Sequence, residues 1–135
     1  MQSELLRALS RAAHLFSARF EAALDTIGLS IAKFGVLKEL QAVNEPLPLG
    51  HLADRLACVR SNITQLVDRL EADGLVRRVP DEQDRRSTRA VITEEGRKRY
   101  EIGLKVQLHL EEELLRGISL EEQEQLSGIL EKLSR

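Results

Sequence analysis

The sequence predicts a mainly α fold with one small β-hairpin, and three observations carry that prediction. Apolar residues recur at spacings of three and four over most of the chain, the helical period. The period breaks between Leu75 and Thr93, where short alternating segments flank a fully polar loop. Aromatics make up only 3% of the chain and Trp is absent, so the core must be built from Leu, Ile, Val and Ala. At 135 residues and 42% hydrophobic, the chain is one domain's worth, or one domain with appended helices.

Each element can be read in order. Leu5, Leu9, Ala12, Phe16, Phe20, Ala23 and Ile27 make one helical stripe over residues 3–26, and Gly28 is placed to end it. Ser30 is a ready N-cap for a second helix to about Val43, with Phe34, Leu37 and Leu40 inward. Asn44, Pro46 and Pro48 mark a loop. A short helix follows from about Leu49 to Leu56, on the stripe Leu52, Ala53 and Leu56. Ala57-Cys58-Val59 leaves room for a tight turn only. The next helix runs from about Arg60 to Asp73, burying Ile63, Leu66, Val67 and Leu70, and Gly74 supplies a left-handed stop.

Leu75 to Val79 is the first strand of a hairpin, closed by Pro80, and Thr88 to Thr93 is the second. Residues 81–87, DEQDRRS, form its tip. Thr93 is placed as the N-cap of a long helix reaching about Arg116, with Glu94 and Glu95 at the positive end of its dipole. That helix carries two apolar stripes: Ile102, Val106, Leu110 and Leu114, and Leu104, Leu108 and Leu115. One can serve the chain's own core; the other needs a partner. A final helix from about Leu120 to Leu133 is amphipathic through Leu126, Ile129, Leu130 and Leu133. The order is α-α-α-α-β-β-α-α: a winged helix-turn-helix over residues 31–99, between helical regions 1–30 and 100–135 that are expected to dimerise. A two-fold dimer would set two recognition helices about one duplex turn apart, roughly 34 Å, on a pseudo-palindromic site.

The net charge of −2 conceals an uneven distribution. Residues 49–99 hold eleven basic and nine acidic side chains, whereas residues 100–135 hold four basic and eight acidic. The surplus on the winged segment is thin, so DNA affinity must come from individually placed arginines rather than a broad basic surface. No apolar run is long enough to span a bilayer. The N-terminus carries an acidic residue and no secretory core, and the single cysteine, Cys58, cannot form an intramolecular disulfide. A cytoplasmic protein is expected. No nucleophile–base pair, metal cluster or glycine-rich phosphate loop points to an enzyme, a metal or a cofactor.

Candidate DNA-binding residues fall in two groups. On the second helix of the motif, Arg60, Ser61, Asn62, Thr64 and Gln65 cluster near the N-terminal end. Asn and Gln can pair with adenine edges, and Arg with guanine or phosphate, but the sequence leaves open which residue reads a base. Arg69, late in that helix, reads as a phosphate or structural partner. In the wing, Asp84, Arg85 and Arg86 sit at the tip, with Arg77, Arg78 and Arg89 on the strands. A narrow minor groove concentrates negative potential and attracts arginine.

These residues resemble the MarR family of winged-helix transcriptional regulators over nearly the whole chain. The strongest match is RSNITQLVDRLEADGLVRRVPDEQDRRSTRAVITEEG, residues 60–96. It holds a leucine-Asp-Arg-Leu-Glu type run at Leu66 to Glu71, Gly74, a first strand, the tip Asp84-Arg85-Arg86, a second strand, and the helix start Thr93 to Gly96. The resemblance implies a homodimeric regulator of double-stranded DNA, a ligand-responsive repressor or an activator. It implies Arg86 as the groove residue, oriented by the Asp84 carboxylate. In such proteins a small acidic or aromatic ligand often binds between the dimer interface and the winged helix. The chain departs from the pattern at Val59, where a serine cap is frequent, and at Lys33, where Gln or Glu is frequent.

Other residues carry two readings. Cys58 suits a small hydrophobe plugging the turn; redox sensing is the alternative. Phe16, Phe20 and Phe34, beside His14 or Arg19, could line an aromatic-ligand pocket; plain core is the other reading. His109 and Glu113 lie four apart on one helix face, but no His/Cys cluster of ligand spacing accompanies them, and His14, His51 and His109 read as surface or interface residues. The competing function is a winged-helix protein–protein module without DNA binding.

Overall fold

The computed structural model describes residues 3–58, 60–84 and 86–135, with Arg60 described in its backbone alone. Its elements are α1 (Glu4–Asp25), α2 (Ile31–Val43), β1 (Leu47–Pro48), α3 (Leu49–Arg55), α4 (Arg60–Ala72), β2 (Val76–Pro80), β3 (Thr88–Ile92), α5 (Glu94–Leu115) and α6 (Leu120–Leu133). The mainly helical reading holds, with two corrections in the sheet. Leu47-Pro48, expected as loop, is a short strand, so the sheet has three antiparallel strands in the order β1-β3-β2. Leu47 pairs with Ala90 and Pro48 with Arg89. Proline is tolerated here because β1 is an edge strand. Pro80, expected to close the hairpin, lies within β2 opposite Thr88, on the other edge.

Caps explain the helix limits. Ser3, Ser30, Thr93 and Ser119 each accept a backbone N–H from the first turn that follows them. Gly74 adopts φ +77°, and the Leu75 N–H reaches the Leu70 carbonyl at 2.9 Å, closing α4 with a left-handed turn. The same closure ends α3 at Ala57, with φ +51° and the Cys58 N–H on the Ala53 carbonyl. An alanine there carries strain that glycine would avoid. The turn into α4 passes through Val59, which lies outside the described residues, as does the cap of the recognition helix.

The core gathers Leu37 and Leu40 of α2, Leu47, Leu52 of α3, Ile63, Val67 and Leu70 of α4, Leu75 and Val76, and Ala90 and Ile92. An aromatic run joins the long helices to it. Phe16 meets Phe20, Phe20 meets Phe34 edge-on at 5.7 Å, and Phe34 stacks on Tyr100 at 5.4 Å. A Cβ at Gly103 would stand 2.8 Å from the Phe34 ring, so α5 can pass over that ring only with hydrogen at position 103.

The start of α5 is held more tightly still. Thr93 Oγ donates to the Gly74 carbonyl at 2.7 Å and accepts the Gly96 N–H at 3.0 Å, while the Thr93 N–H reaches the Leu75 carbonyl. A Cβ at Gly96 would lie 2.1 Å from the Leu75 carbonyl oxygen, which is backbone and cannot swing away. Gly96→Ala should therefore destabilise the fold by about 1–3 kcal/mol or more. A lowered urea midpoint would register this, and an unchanged midpoint would contradict the packing described.

Candidate nucleic-acid interface

Helix α4 turns Ile63, Val67 and Leu70 fully inward. The spacing of three and four leaves Ser61, Asn62, Thr64, Gln65 and Arg69 on the exposed face. Five of the expected recognition residues therefore share one outward surface. The sixth, Arg60, lies outside the described side chains.

The wing tip is built by carboxylates that accept backbone N–H groups. Asp81 Oδ1 accepts from Gln83 at 3.0 Å, and Asp84 Oδ1 accepts from Arg86 at 3.0 Å. The Ser87 N–H closes on the Asp84 carbonyl at 3.0 Å. The Gln83 N–H, then the Arg89 charge, hold the Asp81 carboxyl below its ordinary value of 3.8. Asp84 thus meets Arg86 at its backbone. A side-chain pair between them is not among the described ion pairs, so the carboxylate orients the loop bearing Arg86. Arg85 lies outside the described residues. Arg89 Nε stands 3.3 Å from Asp81 Oδ2, within ion-pair reach but unaligned for a hydrogen bond.

Arg77 and Arg78 are neighbours on β2 and point to opposite faces, as strand residues must. Arg77 is exposed. Arg78 is only 25% exposed and lies against α4, with Nη2 at 2.6 Å from Asp68 Oδ1 and Nη1 at 3.1 Å from Glu71 Oε1. Its Nη2 also donates to the Thr64 carbonyl at 3.3 Å, and its backbone N–H donates to Glu71 Oε2 at 2.9 Å. The Arg78 N–H above all, then its guanidinium, hold the Glu71 carboxyl below its ordinary value of 4.5.

Between α4 and the wing lies an open cleft of about 430 Å³, lined by Leu49, Gly50, Thr64, Arg78, Asp84, Arg86, Ser87 and Thr88. It brings Thr64 of α4, the start of α3 and the wing tip around one concavity. A second groove, about 260 Å³, runs beside α4 past Ala32, Cys58, Asn62, Gln65, Leu66 and Arg69. Cys58 is half-buried there and packs against the core.

The expected effector residues do not converge. Phe34 is 4% exposed and sits in the aromatic run, while His14 and Arg19 are exposed on α1. His109 Nε2 meets Glu113 at 2.9 Å, one turn along α5. Among the described residues no three potential ligands gather for a metal, and no helix is long and apolar enough to cross a membrane.

The sequence reading missed what joins the winged part to α5. Arg97 donates to Gln41 Oε1 at 3.1 Å and to Asn44 Oδ1, and Arg99 donates to the Ile27 carbonyl at 2.8 Å. No periodicity marks these arginines, because their partners lie more than fifty residues away.

Comparison with known proteins agrees with this geometry. Residues 27–87 match the model of the MarR family. The chain is 31% identical over 126 residues to the uncharacterized HTH-type transcriptional regulator YwoH of Bacillus subtilis, covering 93% of this chain and 90% of that protein. It is 39% identical over 82 residues to the transcriptional activatory protein BadR of Rhodopseudomonas palustris. That match covers 59% of this chain and 47% of BadR, so the chain spans about half the length of that relative. In fold it is similar to a cysteine variant of MarR from E. coli complexed with operator DNA. The TM-score is 0.84 and the identity 22%, over 96% of this chain and 92% of that one.

The Glu71 carboxylate makes the contact between α4 and the wing acid-labile. Its pKa is depressed in the fold, so the unfolded chain takes up the proton first as pH falls. The stabilisation is complete above about 4.5, the unfolded value, and disappears as pH falls through the lower folded value. Thermal midpoints between pH 7 and pH 3 should fall more steeply for wild type than for Glu71→Gln. Parallel curves would show that the contact contributes nothing.

Proposed function

The chain belongs to the MarR family of transcriptional regulators, and we propose that it binds a pseudo-palindromic operator in double-stranded DNA as a homodimer. The observation that carries this reading is the shared cleft. Thr64 on the exposed face of α4 and Arg78, Asp84 and Arg86 of the wing line one concavity, and Asn62, Gln65 and Arg69 line a groove beside the same helix. Helix α4 has the diameter and the side chains to enter a major groove, where Asn62 and Gln65 reach base edges. Arg86 then extends into the adjacent minor groove or onto its backbone, with Arg69 and Arg77 at phosphates. The E. coli MarR neighbour, complexed with operator DNA, supports the same use of this fold.

A second copy is supported by what the terminal helices leave uncovered. Leu5, Leu6 and Leu15 of α1, Leu104, Leu108 and Leu115 of α5, and Leu120, Leu126, Ile129 and Leu133 of α6 are all exposed. These ten large apolar side chains lie on the three terminal helices, where packing against a second copy would remove them from water. Residues 1–30 and 100–135 accordingly form the dimer region, and residues 31–99 the DNA-reading region. In this reading the bound dimer represses, and a small acidic or aromatic effector seated between the two regions releases it.

Two measurements test this. Arg86→Ala should weaken binding to a duplex selected from random DNA by roughly 10-fold to 100-fold, and lower the slope of log affinity against log salt by about one. Unchanged affinity would favour the protein–protein module instead. Sedimentation should find wild type at twice the 15.2 kDa chain mass and Leu108→Glu at the chain mass itself. A monomeric wild type would remove the dimer.

A further inference from the structure

We infer that Arg78 is a positioning residue, not a DNA contact: it fixes the angle between the recognition helix and the wing, so that α4 and Arg86 meet adjacent grooves together. The inference rests on the DNA-binding reading above and assigns one arginine within it. Its support is the arrangement of acceptors on α4. Thr64, Asp68 and Glu71 follow one another at spacings of four and three, which places them along one helical face. Arg78 takes all three: the Thr64 carbonyl at 3.3 Å, Asp68 Oδ1 at 2.6 Å and Glu71 Oε1 at 3.1 Å. Glu71 adds a second hold, accepting the Arg78 backbone N–H at 2.9 Å, so both strand and side chain are tied to the helix.

Charge argues against a phosphate here. One guanidinium between two carboxylates leaves a local surplus of negative charge, and a phosphate would have to displace at least one of them. Arg77, next along the strand, is exposed and bears no such ties among the described ion pairs. Arg86 lines the same cleft as Arg78, across from Thr64, so a change of wing angle moves Arg86 directly.

Removing a carboxylate near DNA ordinarily strengthens binding, because it removes repulsion from phosphate. If Arg78 acts through Glu71, the opposite must hold. The test compares wild type, Arg78→Ala, Glu71→Ala and the double variant on one fluorescein-labelled duplex recovered by selection from random DNA. Expected are losses of about tenfold for each single variant, and a double variant no weaker than the weaker single. Dimethyl sulfate footprints at saturating protein should lose protection at adenine N3, in the minor groove, and keep it at guanine N7, in the major groove. Tighter binding by Glu71→Ala, with weaker binding and a salt slope lower by about one for Arg78→Ala, would make Arg78 a phosphate contact and overturn the inference. Footprints that retain both protections, or lose both, would also overturn it.

A DNA-free arm keeps the test independent of the reading it rests on. Hydrogen exchange in the free protein should speed up over residues 76–92 in both single variants and stay unchanged in α1. Unchanged exchange over the wing sinks the positioning role even where no duplex is recovered. Failure to recover any duplex with wild type sinks instead the DNA-binding reading.

Discussion

The structure turns on the contact between the Leu75 carbonyl and the first turn of α5. Three elements meet there: the end of α4, the start of β2 and the start of the long helix. Thr93 binds Gly74 and Leu75 with its hydroxyl and its N–H, and the absence of a side chain at Gly96 lets the backbones close. Buried backbone polar groups need partners, and at this junction each helix end supplies what the other lacks. The direction in which α5 leaves the winged part is therefore set by backbone geometry, over which side-chain repacking has little influence. The aromatic run through Phe20, Phe34 and Tyr100, with Gly103 against the Phe34 ring, fixes the same direction a second time, further along.

Polar ties hold what packing leaves free. The wing is a two-stranded finger that shares only Val76, Ala90 and Ile92 with the core among its strand residues. Its outer half has little apolar area to fix it. Arg78 at one side and the Asp81 and Asp84 turns at the tip take that role, and carboxyl oxygens accept in all three. Each such contact is partly exposed and worth little alone. Their value lies in direction: they restrict a short hairpin to one orientation against one helix face.

Much of this was legible in the sequence. Ser30 and Thr93 cap as their types suggest, and Gly74 takes the left-handed turn that its place after a helix implied. The limits of α2 and α6 follow from periodicity and caps alone. Short-range signals failed where the determining partner is distant. Leu47-Pro48 reads as loop because two prolines and an asparagine surround it, yet its strand character comes from β3, some forty residues on. Ala57 gives no hint of a left-handed turn; the closure of α3 imposes it. Arg78 looked like one more wing cation, since only folding reveals that Thr64, Asp68 and Glu71 face it. Phe34 had two readings in the sequence, and the stack on Tyr100 places it in the core.

Helix α5 is also a lever. Its 22 residues extend about 33 Å, and its near end is gripped on three sides. Thr93 holds Gly74, Arg97 holds the end of α2, and Arg99 holds the Ile27 carbonyl. With the fulcrum so clamped, α5 cannot swing by itself. A tilt of about 5° displaces its far end by roughly 3 Å, and the winged part must turn through the same angle. Mechanical advantage then runs in both directions: a small rotation of α4 and the wing becomes a large excursion near Leu115, and a push near Leu115 returns as a fine adjustment of α4.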